Sequence, residues 1–229
     1  MTRRMLVLAC LLLVRAAPAT AAAPAPARRA PDPSPQPASE RAGLPRVLLI
    51  GDSISIGYTL PVRELLRDEA NVHRVPGNAS SSGHGLEQLD RWLGDGKWDV
   101  IHFNFGIHDA KLPPEGVRHA PVDRYAENLR RIVARLRRTG ARLIWASSTP
   151  IPLGGNLRPN RRFADINAYN QAARSVMMEA GITINDLNAA ITPRADALWV
   201  PRDLHFIPEG YALLARDVAT TVRTALAGK

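Results

Sequence analysis

Residues 46–58 read Arg-Val-Leu-Leu-Ile-Gly-Asp-Ser-Ile-Ser-Ile-Gly-Tyr. Val47 to Ile50 is a short, wholly apolar run closed by Gly51. That is the pattern of a parallel strand buried on both faces. Working outward, similar runs recur at Asn71–Val75, Val100–Phe105, Leu143–Ala146 and Ile182–Ile184. Between them lie helical patterns. Leu60–Glu69 has Pro61 suited to a first turn and Leu65 and Leu66 on its apolar side, and Leu86–Leu93 repeats leucine on one face. In Val122–Arg138 the spacing of Tyr125, Leu129, Ile132, Val133 and Leu136 gives the clearest amphipathic helix, closed by Gly140. Phe163–Glu179 and Pro208–Leu226 complete the set. Five strand–helix alternations predict a three-layer α/β/α sandwich around a flavodoxin-like, five-stranded parallel sheet. Ligands of such sheets bind beyond the carboxyl ends of the strands, so the polar residues there carry the functional information.

The ends of the chain read differently. Arg3 and Arg4, the apolar run Met5–Val14 and the small residues Ala16–Ala23 have the three-part layout of a secretory leader. Cleavage is expected near Ala19-Thr20-Ala21, which makes residues 1–21 a signal peptide and the product secreted or periplasmic. The run at 5–14 is too short for a comfortable transmembrane anchor, so no stable membrane insertion is expected. Residues 22–45 are rich in Ala, Pro, Arg and Ser, with proline at every second position from Pro31 to Pro37, and read as a solvated linker. Residues 46–229 are left as one domain. Cys10 is the one cysteine among 229 residues, which excludes a disulfide framework, and its loss with the leader excludes a thiol nucleophile.

The formal net charge is +9. Much of it falls between Arg118 and Arg142, where eight arginines face only Asp123 and Glu127. The face bearing Arg130, Arg131, Arg135, Arg137 and Arg138 is a candidate for docking to an anionic surface, against the plainer reading of a solvated helix face. Neither zinc-finger spacing nor an aromatic stacking motif accompanies the charge, so a nucleic-acid partner is not expected.

Four polar blocks follow strands or precede a helix: Gly51-Asp52-Ser53-Ile54-Ser55, Asn78-Ala79-Ser80-Ser81-Ser82-Gly83, Asn104-Phe105-Gly106-Ile107-His108-Asp109 and Asp203-Leu204-His205. One Gly-Asp-Ser is an ordinary turn. Four blocks in this order resemble the SGNH or GDSL hydrolase family, over the whole domain from Arg46 to the final helix. The resemblance implies that Ser53 is the nucleophile, His205 the catalytic base and Gly83 the glycine of the second block. Chemistry agrees, because a serine hydroxyl needs a neighbouring imidazole to take its proton. Backbone N–H groups of Ser53 and Gly83 could form two arms of an oxyanion hole, with Gly77 as the alternative to Gly83.

Two positions depart from the family pattern. Where the third block normally carries Asn, this chain has His108 in a Gly-x-His-Asp form; an imidazole N–H can donate the same bond, and Asn104 is the alternative donor. The residue three before His205 is Arg202, which cannot accept a hydrogen bond from the imidazole. Asp203, two before, is the candidate acid; otherwise a backbone carbonyl orients His205 in a Ser-His dyad. Asp52 and Asp109 are read as loop braces, and His73, His84, His102 and His119 as packing or surface residues. No tight metal signature is present, and neither metal nor cofactor is expected.

The function implied is a secreted serine esterase acting on a small-molecule or polysaccharide ester. The absence of a long apolar insertion tilts the reading to short acyl groups such as acetyl on carbohydrate. An acyltransferase or lysophospholipase-type acylhydrolase of the same family, and a non-catalytic wall- or glycan-binding module on the same fold, are the alternatives.

Overall fold

A computed structural model describes residues 40–112, 120–153, 157–158 and 161–228. The elements run β1 (Arg46–Ile50), α1 (Ser53–Leu65), β2 (Asn71–Arg74), α2 (Ser82–Leu93), β3 (Val100–Phe103), α3 (Ile107–Ala110), β4 (Lys111–Leu112), α4 (Val122–Arg137) and β5 (Arg142–Ala146). They continue with β6 (Arg162–Phe163), α5 (Ile166–Glu179), β7 (Thr183–Asn185), α6 (Leu187–Ile191), a 3-10 turn at Thr192–Arg194, α7 (Ala195–Leu198) and α8 (Pro208–Ala227).

Five parallel strands form the sheet in the order β2-β1-β3-β5-β7. This is the expected flavodoxin-like arrangement, in which the chain steps from β1 outward to β2 and then crosses back to β3. Val47 lies opposite both Val72 and Val100, and Ile144 opposite both His102 and Thr183. All four residues of β3 are buried, as are the last four of β1 and of β5, which explains why these strands read as unbroken apolar runs. Helices α1 and α8 pack together, and α2, α4 and α5 pack in a row. Tyr125, Leu129, Ile132, Val133 and Leu136 of α4 all face inward, as their spacing predicts.

The structure corrects the sequence reading of the first helix. It begins at Ser53 and ends at Leu65, so Pro61 is its ninth residue and not part of its first turn. Asp52 starts it by accepting the Ile54 N–H at 2.9 Å, directly after β1. Pro61 removes one helical donor and crowds the carbonyl of Gly57. Gly57 in turn lies under the Tyr211 ring, where a Cβ would come within 2.1 Å of it. Helix α5 also starts later than its periodicity suggests, because Arg162 and Phe163 pair antiparallel with β4 and Asp165 supplies the cap by accepting the Asn167 N–H.

The expected leader and most of the expected linker lie outside the described residues, as does His119. Residues 40–45, read as linker, instead join the domain. Asn71 accepts the Arg41 N–H at 2.8 Å and donates to the Arg41 and Leu44 carbonyls, while Glu40 pairs with Arg46.

His102 is a packing residue, as expected. It is fully buried on β3, edge-on to Tyr58, and its Nε2–H donates to Asn185 Oδ1 at 3.0 Å. Burial pushes its pKa down to about 4, the Asn185 bond opposing this. An unfolded chain takes up the proton near pH 6.5 while the native state refuses it, so stability should fall as pH drops from 6.5 towards 4. The expected loss is about 3 kcal/mol. His102→Gln keeps an N–H for Asn185 and carries no titrating proton. Urea unfolding at a series of pH values should show the difference between wild type and variant changing by that amount across the window; a constant difference would assign the acid sensitivity elsewhere.

Candidate active site

The first block forms a strand–turn–helix. Gly51 turns the chain where a Cβ would come within 2.9 Å of Ser55, and Ser53 becomes the first residue of α1. Ser55 Oγ donates back to the Asp52 carbonyl at 2.9 Å, and the buried Asp52 carboxylate caps the helix. Asp52 therefore braces the loop, as expected.

Sequence reading did not single out Arg74, the residue that stitches this turn to the next block. Its buried guanidinium donates to the carbonyls of Gly51 at 2.8 Å and Asp52 at 3.2 Å, and to Ser55 Oγ at 3.0 Å. On the other side it donates to the carbonyls of Val75 and Gly77. The Ala79 N–H adds a bond to the Gly51 carbonyl at 3.1 Å. The first two loops are thus held as one unit.

In the second block Ser81 caps α2, and Gly83 is that helix's second residue. Space does not demand a glycine at 83, since a Cβ there would meet nothing closer than Ser81 Oγ at 3.9 Å. Gly85 is the position that needs one: its Cβ would lie 2.5 Å from the buried Phe105 ring. Gly85→Ala should destabilise by about 1–3 kcal/mol through overpacking, less the roughly 1 kcal/mol gained in helix propensity. Gly83→Ala should be neutral or stabilising. Thermal denaturation of the two variants side by side checks the contrast, and equal melting temperatures would show that Phe105 can give way.

The third block is locked to the second. Gly106 has φ +146° and approaches Ser148 so closely that a Cβ would sit 2.4 Å from its Oγ. Asp109, wholly buried in α3, accepts from the Ser82 N–H at 3.0 Å and from the Ser82 hydroxyl, and Asn128 donates to that hydroxyl in turn. This is the bracing role expected of Asp109. His108 comes within 3.4 Å of Ser80 Oγ through its Nδ1, and Ser80 itself has φ +56° with its N–H given to Asn78 Oδ1. Asn104 donates its amide to the Ala146 carbonyl at 2.7 Å and to Ser148 Oγ at 3.3 Å, which ties β3 to β5 and turns its donors away from the alternative role.

The fourth block sits in a tight reversal between α7 and α8. Trp199 bridges to Phe206 and the Val200 N–H donates to the His205 carbonyl at 2.8 Å. Inside it, Arg202 takes the left-handed conformation, φ +60°. That turn explains how a carboxylate only two residues before the histidine reaches its ring. His205 Nδ1 is 2.7 Å from Asp203 Oδ1, and His205 Nε2 is 2.8 Å from Ser53 Oγ. With Asp203 accepting, the Nδ1–H donates and Nε2 is left to accept the serine proton. Asp203 Oδ1 also takes the Leu204 N–H at 2.8 Å and Arg161 Nη1 at 3.0 Å. Burial works to raise the Asp203 pKa, but the His205 hydrogen bond, the charges of His205 and Arg161 and the Leu204 N–H more than offset it. The group is held below the usual carboxylate value.

The structure therefore brings Ser53, His205 and Asp203 into one hydrogen-bonded chain. His108 and the start of α2 are joined to each other beside the Arg74-bound loops. Among the described residues no three His, Cys, Asp or Glu side chains cluster as a metal site would need. A hollow of about 450 Å³ lies elsewhere, at the amino ends of β5 and β7, and its Arg137 and Arg142 are engaged by the carbonyls of Ala180, Ala225 and Gly228.

A hydrogen-bonded Ser–His–Asp chain beyond the carboxyl ends of a parallel sheet is an arrangement suited to nucleophilic hydrolysis, and the architecture alone does not fix the reaction. The model of the GDSL-like lipase/acylhydrolase family matches residues 49–213, and the chain belongs to that family. A GDSL esterase/lipase of Arabidopsis thaliana is 25% identical over 209 residues, covering 78% of this chain and 86% of the relative. Among solved structures, a lipase/acylhydrolase from Enterococcus faecalis superposes with a TM-score of 0.68 at 22% identity, covering 79% of this chain and 96% of that one. A catalytic mutant of an acetylxylan esterase from Geobacillus stearothermophilus gives 0.64 at 21% identity, covering 78% and 94%. At these identities the structural likeness bears on fold.

Proposed function

We propose that the protein is an exported serine esterase that removes short acyl groups, acetyl on carbohydrate foremost, through an acyl-enzyme. The observation that carries the reading is the Ser53–His205–Asp203 chain, with contacts of 2.8 and 2.7 Å. Ser53 Oγ attacks the ester carbonyl carbon while its proton passes to His205 Nε2. Collapse of the tetrahedral intermediate breaks the bond to the alcohol oxygen, which leaves with that proton. Water then attacks the acyl-enzyme, gives its proton to His205, and the proton returns to Ser53 Oγ as the carboxylic acid departs. Ser53, Gly83 and His108 are the proposed oxyanion donors. Ser53 and Gly83 are the first and second residues of α1 and α2, where backbone N–H groups lack intrahelical acceptors and the helix dipoles favour negative charge. A Ser80 hydroxyl donating to His108 Nδ1 leaves the Nε2–H as the donor.

Residues 1–21 as a cleaved leader support export, and the presence of acetylxylan esterases among the structural neighbours supports the acyl group. Among the described residues no helix is long and apolar enough to cross a membrane. On the basic face, Arg130 pairs with Glu179, Arg135 with Asp90, and Arg137 donates to the Ala180 carbonyl, so the docking reading for Arg130, Arg131, Arg135, Arg137 and Arg138 rests chiefly on Arg131 and Arg138.

Hydrolysis of p-nitrophenyl esters of increasing acyl length, with Ser53→Ala alongside, tests the reading. Activity falling with chain length, absent in the variant, and fluorophosphonate labelling of wild type alone are expected. Equal inactivity of both proteins on every ester, without labelling, would leave the non-catalytic binding module; transfer to an added alcohol faster than to water would make the enzyme an acyltransferase.

A further inference from the structure

Asp203 has a second partner that the hydrolytic mechanism does not use. Arg161 Nη1 lies 3.0 Å from the same Oδ1 that receives His205, and Arg158 Nη2 lies 3.6 Å from Oδ2. Arg161 is not carried on a free tail. It immediately precedes β6, which pairs with β4, and β4 directly follows the α3 turn that bears His108. The Ala164 N–H closes this ribbon onto the Ala110 carbonyl at 2.8 Å. The arginine is thereby built into the frame that also sets His108, and its side chain is about two-thirds covered at 32% exposure, against 64% for Arg158.

A cation fixed on the carboxylate does two things. It orients Oδ1 towards the imidazole, which matters here because Asp203 stands only two residues before His205 in a turn strained at Arg202. It also neutralises part of the negative charge that would stabilise the imidazolium. Among the described residues, the charged groups paired with Asp203–His205 are Arg161 and Arg158 from the segment before β6, with Arg202 adjoining in the same turn, while the neutral Ser53 hydroxyl of α1 hydrogen-bonds the imidazole.

Resting on the esterase reading above, we propose that Arg161 is a positioning residue of this hydrolase, which aligns Asp203 and extends the working range of His205 towards acid. Its sequence setting, Arg158-Pro-Asn-Arg161-Arg162, gives no sign of this.

The test separates charge from hydrogen bonding. Arg161→Gln keeps an amide donor without charge, Arg161→Lys keeps charge, and Arg161→Met keeps neither. Two readouts are taken on each: the acidic limb of kcat/KM on p-nitrophenyl acetate, and the titration midpoint of the His205 ring by NMR. In Arg161→Gln both should move up by about half to one pH unit, the size expected of a partly screened charge separated from the imidazole by the Asp203 carboxylate. Arg161→Lys should stay near wild type, Arg158→Gln should shift less, and Arg161→Met should add a fall in kcat with little change in KM. An NMR midpoint in Arg161→Gln within about 0.2 unit of wild type would overturn the proposal. Should Arg161→Gln not fold, Arg161→Met reads the same loss of charge. If wild type proves inactive on every ester, the esterase reading fails alone, because the NMR titration still decides whether Arg161 tunes His205.

Discussion

Ser53→Ala is expected to lower kcat by about five to six orders of magnitude, His205→Ala by a similar amount, and the double variant by no more than either alone. The reason is that the two side chains perform one act. Without Oγ no acyl-enzyme forms, and a base 2.8 Å away has no proton to take. Without His205 the hydroxyl keeps its proton and the alcohol leaves as an alkoxide. Residual catalysis should come from the proposed oxyanion donors, which neither substitution touches. Single-turnover assays on the three proteins check the non-additivity; a double variant a further thousandfold worse would mean that Ser53 and His205 act independently. Stability should hardly change, since Ser53 is half-buried at a helix start whose cap is the Asp52 carboxylate. A large loss of melting temperature in Ser53→Ala would therefore signal a role in folding.

What sequence reading could and could not reach divides by the distance over which a contact acts. Strands β1, β3 and β5 announced themselves because both faces are buried, and α4 because one face is. Ser53, Asp203 and His205 were legible because each sits in a short block at a strand end or helix start. The choice between Asp203 and a dyad needed the backbone: the left-handed Arg202 determines where the carboxylate goes, and arginine is not a residue that advertises a positive φ. Helix α1 was placed seven residues late because Pro61 reads as a first-turn proline, a signal overruled by the Asp52 cap and by packing against Tyr211. Helices α3 and α7 span four residues each, too few to show a period. Arg74 and Arg161 escaped notice for one shared reason. Arg74's partners in the first block lie 19–23 residues away and Arg161's partner 42, and in a sequence with this many arginines nothing marks these two.

Asp203→Asn is expected to reduce kcat about 10⁴-fold while leaving the fold intact. In the native turn Oδ1 accepts four donors, from His205 Nδ1, the Leu204 and His205 N–H groups, and Arg161. An asparagine that keeps its oxygen in the Oδ1 place loses only the charge; one that sets its NH₂ there gives up the Leu204 and Arg161 bonds and faces Nδ1 with a donor. The imidazole must then accept at Nδ1 and carry its proton on Nε2, aimed at Ser53 Oγ, the wrong tautomer for a base. A dyad oriented by a backbone carbonyl would keep its tautomer and lose tenfold or so at most. The pH profile separates the two further. Because Asp203 is held below the usual carboxylate range, it stays ionised throughout the working range and does not set the acidic limb of wild type. In Asp203→Asn the imidazolium loses its anionic partner while Arg161 keeps its charge beside it, so the acidic limb should move to lower pH even as the plateau collapses. A plateau within tenfold of wild type, or a limb that does not move, would show that Asp203 is an accessory to the histidine's position and not the third member of the relay.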